Sequence, residues 1–272
     1  MKRLLFSLAV LAITTVSAQR AEAGIVGFDI QLVHNNTPSA AEQTAFDSAE
    51  ATWESLISGY QENVASTILT ITTTLAPIDG SGGILGSAGP GDLEGVGNFA
   101  YARTGTMTFD TADTVDLDTS GILDDVILHE MGHVLGIGTL WSIGGFQQLY
   151  VTDSGEYTGV NALAAWQTEF NQPGATFVPV ELGGDSGTAN GHWNEVDGGG
   201  GNTGIVSNIT GLDFKNELMT GWIGAGTFVS TVTTGGLVDI GYTLSAVPEP
   251  STFALLGIGC IAVLVSRRRR KA

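Results

Sequence analysis

Cysteine is almost missing from this chain of 272 residues. Cys260 is the only one, and it sits in an apolar run near the C-terminus. The rest of the chain therefore has no disulfide, no thiol nucleophile and no thiolate to bind a metal. Positive charge is nearly as scarce. Between Gly24 and Ala246 the only basic side chains are Arg103 and Lys215, while only Glu22 and Glu249 of the 28 acidic residues fall outside that stretch. Its net charge is about −24, which bears on solubility and partners rather than on fold. Nucleic acid and anionic membrane surfaces are poor partners for such a surface. Histidine is sparse too, with four in the chain.

The two ends read as processing signals. Lys2 and Arg3 precede an apolar run from Leu4 to Val16, and small residues allow cleavage after Ala18 or Ala23. Residues 1–23 are therefore expected to be a signal peptide. At the other end Val247–Pro250 is a proline break, Thr252–Val265 is apolar and Arg267–Lys271 is wholly basic. This three-part tail, 247–272, resembles the PEP-CTERM sorting signal of Gram-negative bacteria. The resemblance implies export across the inner membrane and transient membrane association through 252–266. A sorting enzyme of the exosortase type would then cut the tail, delivering the protein to the surface, the extracellular matrix or the medium. An ordinary C-terminal transmembrane anchor is the alternative, since a basic cluster holds such a segment on the cytoplasmic side.

Between the signals the pattern is mixed. Gly24–His34 and Thr67–Ala76 alternate and are rich in branched residues, as strands are. Ser39 and Glu42 form a capping box ahead of Phe46, Ala49, Trp53, Leu56 and Ile57 at helical spacing, with Gly59 as a stop. Asp79–Gly97 is glycine-rich and reads as a loop; Phe99–Ala102 and Gly105–Asp110 read as short strands. A second helix is expected to be capped by Ser120, to bury Leu123, Ile127, Met131, Val134 and Leu135, and to end at Gly136. Beyond Trp141 the chain loosens, with a short helix over Val160–Phe170, a strand over Phe177–Glu181 and a last helix over Thr231–Ile240. The glycine clusters match neither calcium-binding nonapeptide repeats nor an EF-hand, so they predict no calcium site.

The second helix carries "HEMGHVLGIGTLW", His129 to Trp141. Residues four apart on a helix share a face, so His129 and His133 can aim at one ion. Zinc takes imidazole nitrogens at about 2.0–2.1 Å, and a catalytic zinc site has three protein ligands and an open position. Glu130 is rotated about 100° from His129 and is placed to act on a water rather than on the metal. In the compact form of this motif a third histidine would stand where Thr139 is. His34 and His192 remain; His34, at a strand end, suits a solvated or capping role. His192 lies in "GTANGHWNEV", a glycine-rich loop able to fold back, and Glu181 or Glu195 are carboxylate alternatives for the third ligand.

"HEMGHVLGIG", then "GHWNE" after a long insertion, then "ELMTG", is similar to the leishmanolysin-like branch of the metzincin zinc proteases. The resemblance covers about Gly24 to Leu244 and implies a metzincin-like α+β domain. Such a domain has a twisted mixed sheet with two long helices (24–141) above an irregular C-terminal subdomain (142–246). It implies His129, His133 and His192 as ligands to one catalytic Zn2+, Glu130 as the catalytic base, and Met219 as the methionine of a turn beneath the metal. The chain lacks the many cysteines and the large extra domain of leishmanolysins proper. Trp193 suits packing of its loop better than substrate contact. Tyr242 suits a core role better than oxyanion stabilisation.

The expected function is that of a secreted or surface zinc-dependent endopeptidase acting on protein or peptide substrates. Peptide bonds would be hydrolysed by a metal-activated water with Glu130 as general base. The competing reading is a non-catalytic extracellular matrix or surface protein stabilised by zinc.

Overall fold

The computed structural model describes residues 27–184 and 187–246; the predicted signal peptide and sorting tail lie outside them. In chain order the elements are β1 (Asp29–His34), α1 (Ala40–Leu56), β2 (Ile57–Tyr60), β3 (Ile68–Ala76), β4 (Gly86–Pro90), β5 (Leu93–Val96), β6 (Phe99–Ala102) and β7 (Thr104–Asp110). Then come α2 (Thr114–Ser120), α3 (Leu123–Leu135), β8 (Glu156–Tyr157), α4 (Val160–Glu169), β9 (Val178–Pro179), α5 (Thr231–Asp239) and β10 (Tyr242–Leu244). This is a mixed α+β fold. None of these helices is long and apolar enough to cross a membrane, and the expected membrane segment 252–266 falls outside the described residues.

The main sheet has the order β1-β3-β7-β4. β1, β3 and β7 are parallel, and β4 runs antiparallel to β7 as an edge strand. Alternation along the strands turns Ile30, Leu69, Ile71, Met107 and Phe109 inward. They pack against α1 and α3, and burying side chains of this size stabilises the fold by about 1.5–3 kcal/mol each.

α1 begins where its capping box places it. Ser39 Oγ accepts from the Glu42 N–H, and Glu42 Oε2 accepts from the Ser39 N–H at 2.7 Å. Phe46, Ala49 and Trp53 form its buried stripe. The helix stops before the expected Gly59, because Ile57–Tyr60 leaves as β2 to pair with β10. Trp53 is fully buried and its indole N–H donates to the Leu128 carbonyl at 3.0 Å, joining α1 to α3.

Two expectations are corrected. Asp79–Gly97 is not all loop, since it contains β4 and β5. Ser120 does not cap α3; it closes α2, its hydroxyl donating to the Asp116 carbonyl at 2.8 Å, and Ile122 stands at the N-terminus of α3.

The later half is irregular, and buried aromatics organise it. Trp141 stacks on Trp193 with centroids 4.8 Å apart, and Trp166, Phe170 and Phe214 form a second group. Asp239 of α5 caps α4 from outside, accepting from the backbone N–H groups of Asn161 and Ala162 at 2.9 and 3.0 Å.

Candidate metal centre

α3 starts with Asp124 and Asp125 in its first turn, favourable at the positive end of a helix dipole. It ends at Gly136, whose φ of +120° few other residues accept. The following bend depends on Gly138, with φ +77°, where an added Cβ would lie 2.0 Å from the Gly191 carbonyl oxygen. That close approach seats the loop of His192 against the end of α3.

One helix and one loop then deliver three imidazoles to one point. His129 and His133 stand one turn apart on α3, and His192 arrives 59 residues after His133 in sequence. Their Nε2 atoms are 3.0–3.1 Å from one another, and all three rings are buried. Thr139, at the position where the compact motif has its third histidine, turns its hydroxyl back to the His133 carbonyl at 2.6 Å.

The other ring nitrogens settle the proton positions. His129 Nδ1 lies 2.6 Å from the Leu218 carbonyl, His133 Nδ1 2.9 Å from that of Ile137, and His192 Nδ1 2.8 Å from that of Thr188. A carbonyl only accepts, so each Nδ1 must carry the hydrogen and donate. Each Nε2 is then a bare lone pair, and three lone pairs face one another with no proton between them. Burial lowers the pKa of all three imidazoles, that of His192 to about 3, and their mutual proximity lowers His129 and His192 further. Neutral, oriented imidazoles at this separation fit a single ion that takes nitrogen ligands at about 2.0–2.1 Å. Among the described residues three such ligands converge.

Glu130 follows His129 on α3, rotated about 100° from it around the helix. It is 7% exposed, and no described residue hydrogen-bonds its carboxylate. Burial pushes it up to about 8. β4 passes directly over it: a Cβ on Gly86 would lie 2.9 Å from its Cγ.

Met219 is fully buried, with its sulfur over Gly132, where a Cβ would be 2.6 Å away. Its carbonyl accepts from the Trp193 N–H at 2.9 Å, so the turn also holds the residue after His192. Glu217, which sequence reasoning missed, organises this turn. Its Oε2 accepts from the Met219 N–H at 2.6 Å, and its Oε1 accepts from the N–H and hydroxyl of Ser230 and the hydroxyl of Thr233. The signal was the acidic residue two places before Met219, inside the apolar "NELMTGW".

The remaining candidates lie elsewhere. His34 bonds Thr73 Oγ1 at 2.6 Å and packs on Phe46. Tyr242 is in the core, its hydroxyl donating to the Leu135 carbonyl at 3.0 Å. Trp193 is fully buried and donates to Thr233 Oγ1 at 2.9 Å. Glu181 and Glu195 are not members of the three-imidazole group but form a buried pair of their own. Burial, with Glu181 beside it, pushes the Glu195 carboxyl up to about 8.

Comparison with known proteins identifies the PEP-CTERM protein-sorting motif over residues 246–270. The motif marks a protein exported to the cell envelope or surface of a Gram-negative bacterium, and exosortase-type processing enzymes recognise it. No curated protein matches the chain.

Proposed function

We propose that this exported protein is a zinc-dependent endopeptidase of the leishmanolysin-like metzincin type. The observation that carries the reading is the set of three Nε2 lone pairs, each fixed by an Nδ1–H donated to a backbone carbonyl, at 3.0–3.1 Å from one another. His129, His133 and His192 would hold the ion. Bound there, zinc supplies Lewis acidity and lowers the pKa of water in its open position.

The chain's own groups do the rest. Glu130, next to His129 on α3, accepts no hydrogen bond from any described residue and would act on that water. It can take a proton from the attacking water and return it to the leaving amine nitrogen. β4 is an edge strand with one side unpaired in the sheet, and it runs past Glu130. An extended peptide added along that edge would bring its carbonyls to the site by main-chain hydrogen bonds. Met219 and Glu217 position the floor and touch no reacting atom.

A zinc site kept for stability alone would be closed by four protein ligands and would not need a carboxylate held ready beside it. Casein digestion by the purified protein tests the reading. Digestion should stop on chelation and return with one equivalent of zinc. A zinc-loaded protein that cleaves neither casein nor a peptide library would overturn it.

A further inference from the structure

Beside the histidine loop, Glu181 and Glu195 are buried together, with 0% and 6% of their surfaces exposed. Each has one oxygen held by a glycine N–H. Gly198 donates to Glu181 Oε1 at 2.5 Å, and Gly221 donates weakly to Glu195 Oε2 at 3.4 Å. The other two oxygens, Glu181 Oε2 and Glu195 Oε1, are buried with no partner among the described residues except the facing carboxyl group of the pair. They converge on one place: a Cβ on Gly221 would lie 3.7 Å from the first and 3.8 Å from the second. The neighbouring Asn194 leaves its Oδ1 buried and unpartnered as well.

Among the described residues no positive side chain forms an ion pair with either carboxyl. Arg103 faces Glu94, the one ion pair among the described residues. Two carboxylates withdrawn from water with no counter-charge are costly, and orphaned acceptors add to that cost. Oxygen-only ligands of this kind suit a hard divalent cation, calcium above all in an exported protein.

We infer that Glu181 and Glu195 form a second cation site, for calcium, separate from the three histidines. The glycine spacing around it matches neither nonapeptide repeats nor an EF-hand, and the two carboxyls are brought together only in the folded chain. The site joins three segments. Glu181 donates its backbone N–H to the His192 carbonyl at 2.9 Å, Glu195 follows His192 by three residues, and Gly221 ends the Met219 turn. A cation there clips the loop that carries His192 to the turn beneath it. The inference stands whether or not the protein cleaves peptides.

Calcium titration of the zinc-loaded protein tests it, with bound calcium measured by equilibrium dialysis and the melting temperature followed in parallel. One calcium per chain is expected, with a Kd on the order of 10⁻⁴–10⁻³ M as in other extracellular modules. It should raise the melting temperature by several degrees, and Glu181→Gln or Glu195→Gln should weaken binding at least tenfold while zinc content is unchanged. Because the surface is acidic, calcium bound equally by wild type and both variants would overturn the assignment. So would a wild type whose melting ignores calcium, the result expected if the two carboxyls share a proton instead. Should either variant fail to fold, hydrogen exchange on the wild type decides: calcium must slow exchange within 187–198 and 219–222, and protection elsewhere or nowhere refutes the site.

Discussion

The backbone of Gly86 runs so close to Glu130 that an added methyl carbon would lie 3.0 Å from Glu130 Oε1 and 3.1 Å from Cδ. Edge strand and proposed base are thus seated on each other. Gly86→Ala should push the carboxylate aside without touching a metal ligand. Peptidase kcat is expected to fall about tenfold or more, one such factor being about 1.4 kcal/mol of barrier, with zinc content unchanged. Wild-type kcat in this variant would mean that β4 does not set the position of Glu130.

Glu130→Gln removes the proton acceptor and keeps the shape. Turnover should drop by roughly 10²–10⁴, the usual weight of a general base, while bound zinc stays at one per chain. Kinetics alongside elemental analysis separate the two quantities, and a variant that lost both would point to a structural role instead.

Glu217 accepts four hydrogen bonds in a fully buried position. Glu217→Ala orphans those donors, and at roughly 1–3 kcal/mol for each buried group left unmade the total loss should be about 3 kcal/mol or more. Glu217→Gln should cost less, because the amide oxygen can still accept. Denaturant midpoints measure both. A loss no larger than that from replacing the exposed Glu156 would show that the Met219 turn stands without Glu217.

Acid should weaken the sheet through Asp110. Its Oδ1 accepts from Ala112 N–H at 2.8 Å, and its Oδ2 accepts from Ile78, Asp79 and Gly80 at 2.9–3.0 Å, which holds the segment leading into β4. These backbone donors hold its pKa below the ordinary aspartate value of 3.8. A carboxyl with a depressed folded pKa contributes stability that is present above its unfolded pKa and lost as pH falls through the folded one. Asp110→Asn should therefore melt several degrees lower at pH 7. It should also lose less than wild type between about pH 5 and pH 3. Parallel melting curves for the two proteins over that range would refute the assignment.

Much of the fold was legible where local chemistry agrees with tertiary packing. The Ser39–Glu42 box, the buried stripe of α1, and the apolar face and glycine stop of α3 are all written in neighbouring residues. β4 was not, because "GSAGP" lacks branched and aromatic residues; its pairing with β7, set by the rest of the sheet, makes it a strand. Ser120 misled because a hydroxyl can close one helix as readily as open the next, and the intervening α2 has only seven residues. At the site, His129 and His133 are local signals of helical spacing. His192 reaches them only through contacts far apart in sequence, among them the close approach of Gly138 and Gly191 and the hydrogen bond from Trp193 to Met219. Glu217 left only a faint trace, an acidic residue inside an apolar stretch, and the pairing of Glu181 with Glu195 became visible through burial.

X-ray absorption at the zinc edge, on protein given one equivalent of zinc, reads the ligand set itself. Three imidazole nitrogens at about 2.0–2.1 Å with one further oxygen, reduced to two imidazoles in His192→Ala, is the expected result. A chain that retains no zinc, or whose ion keeps the same ligands when His192 is removed, would contradict the convergence of the three imidazoles.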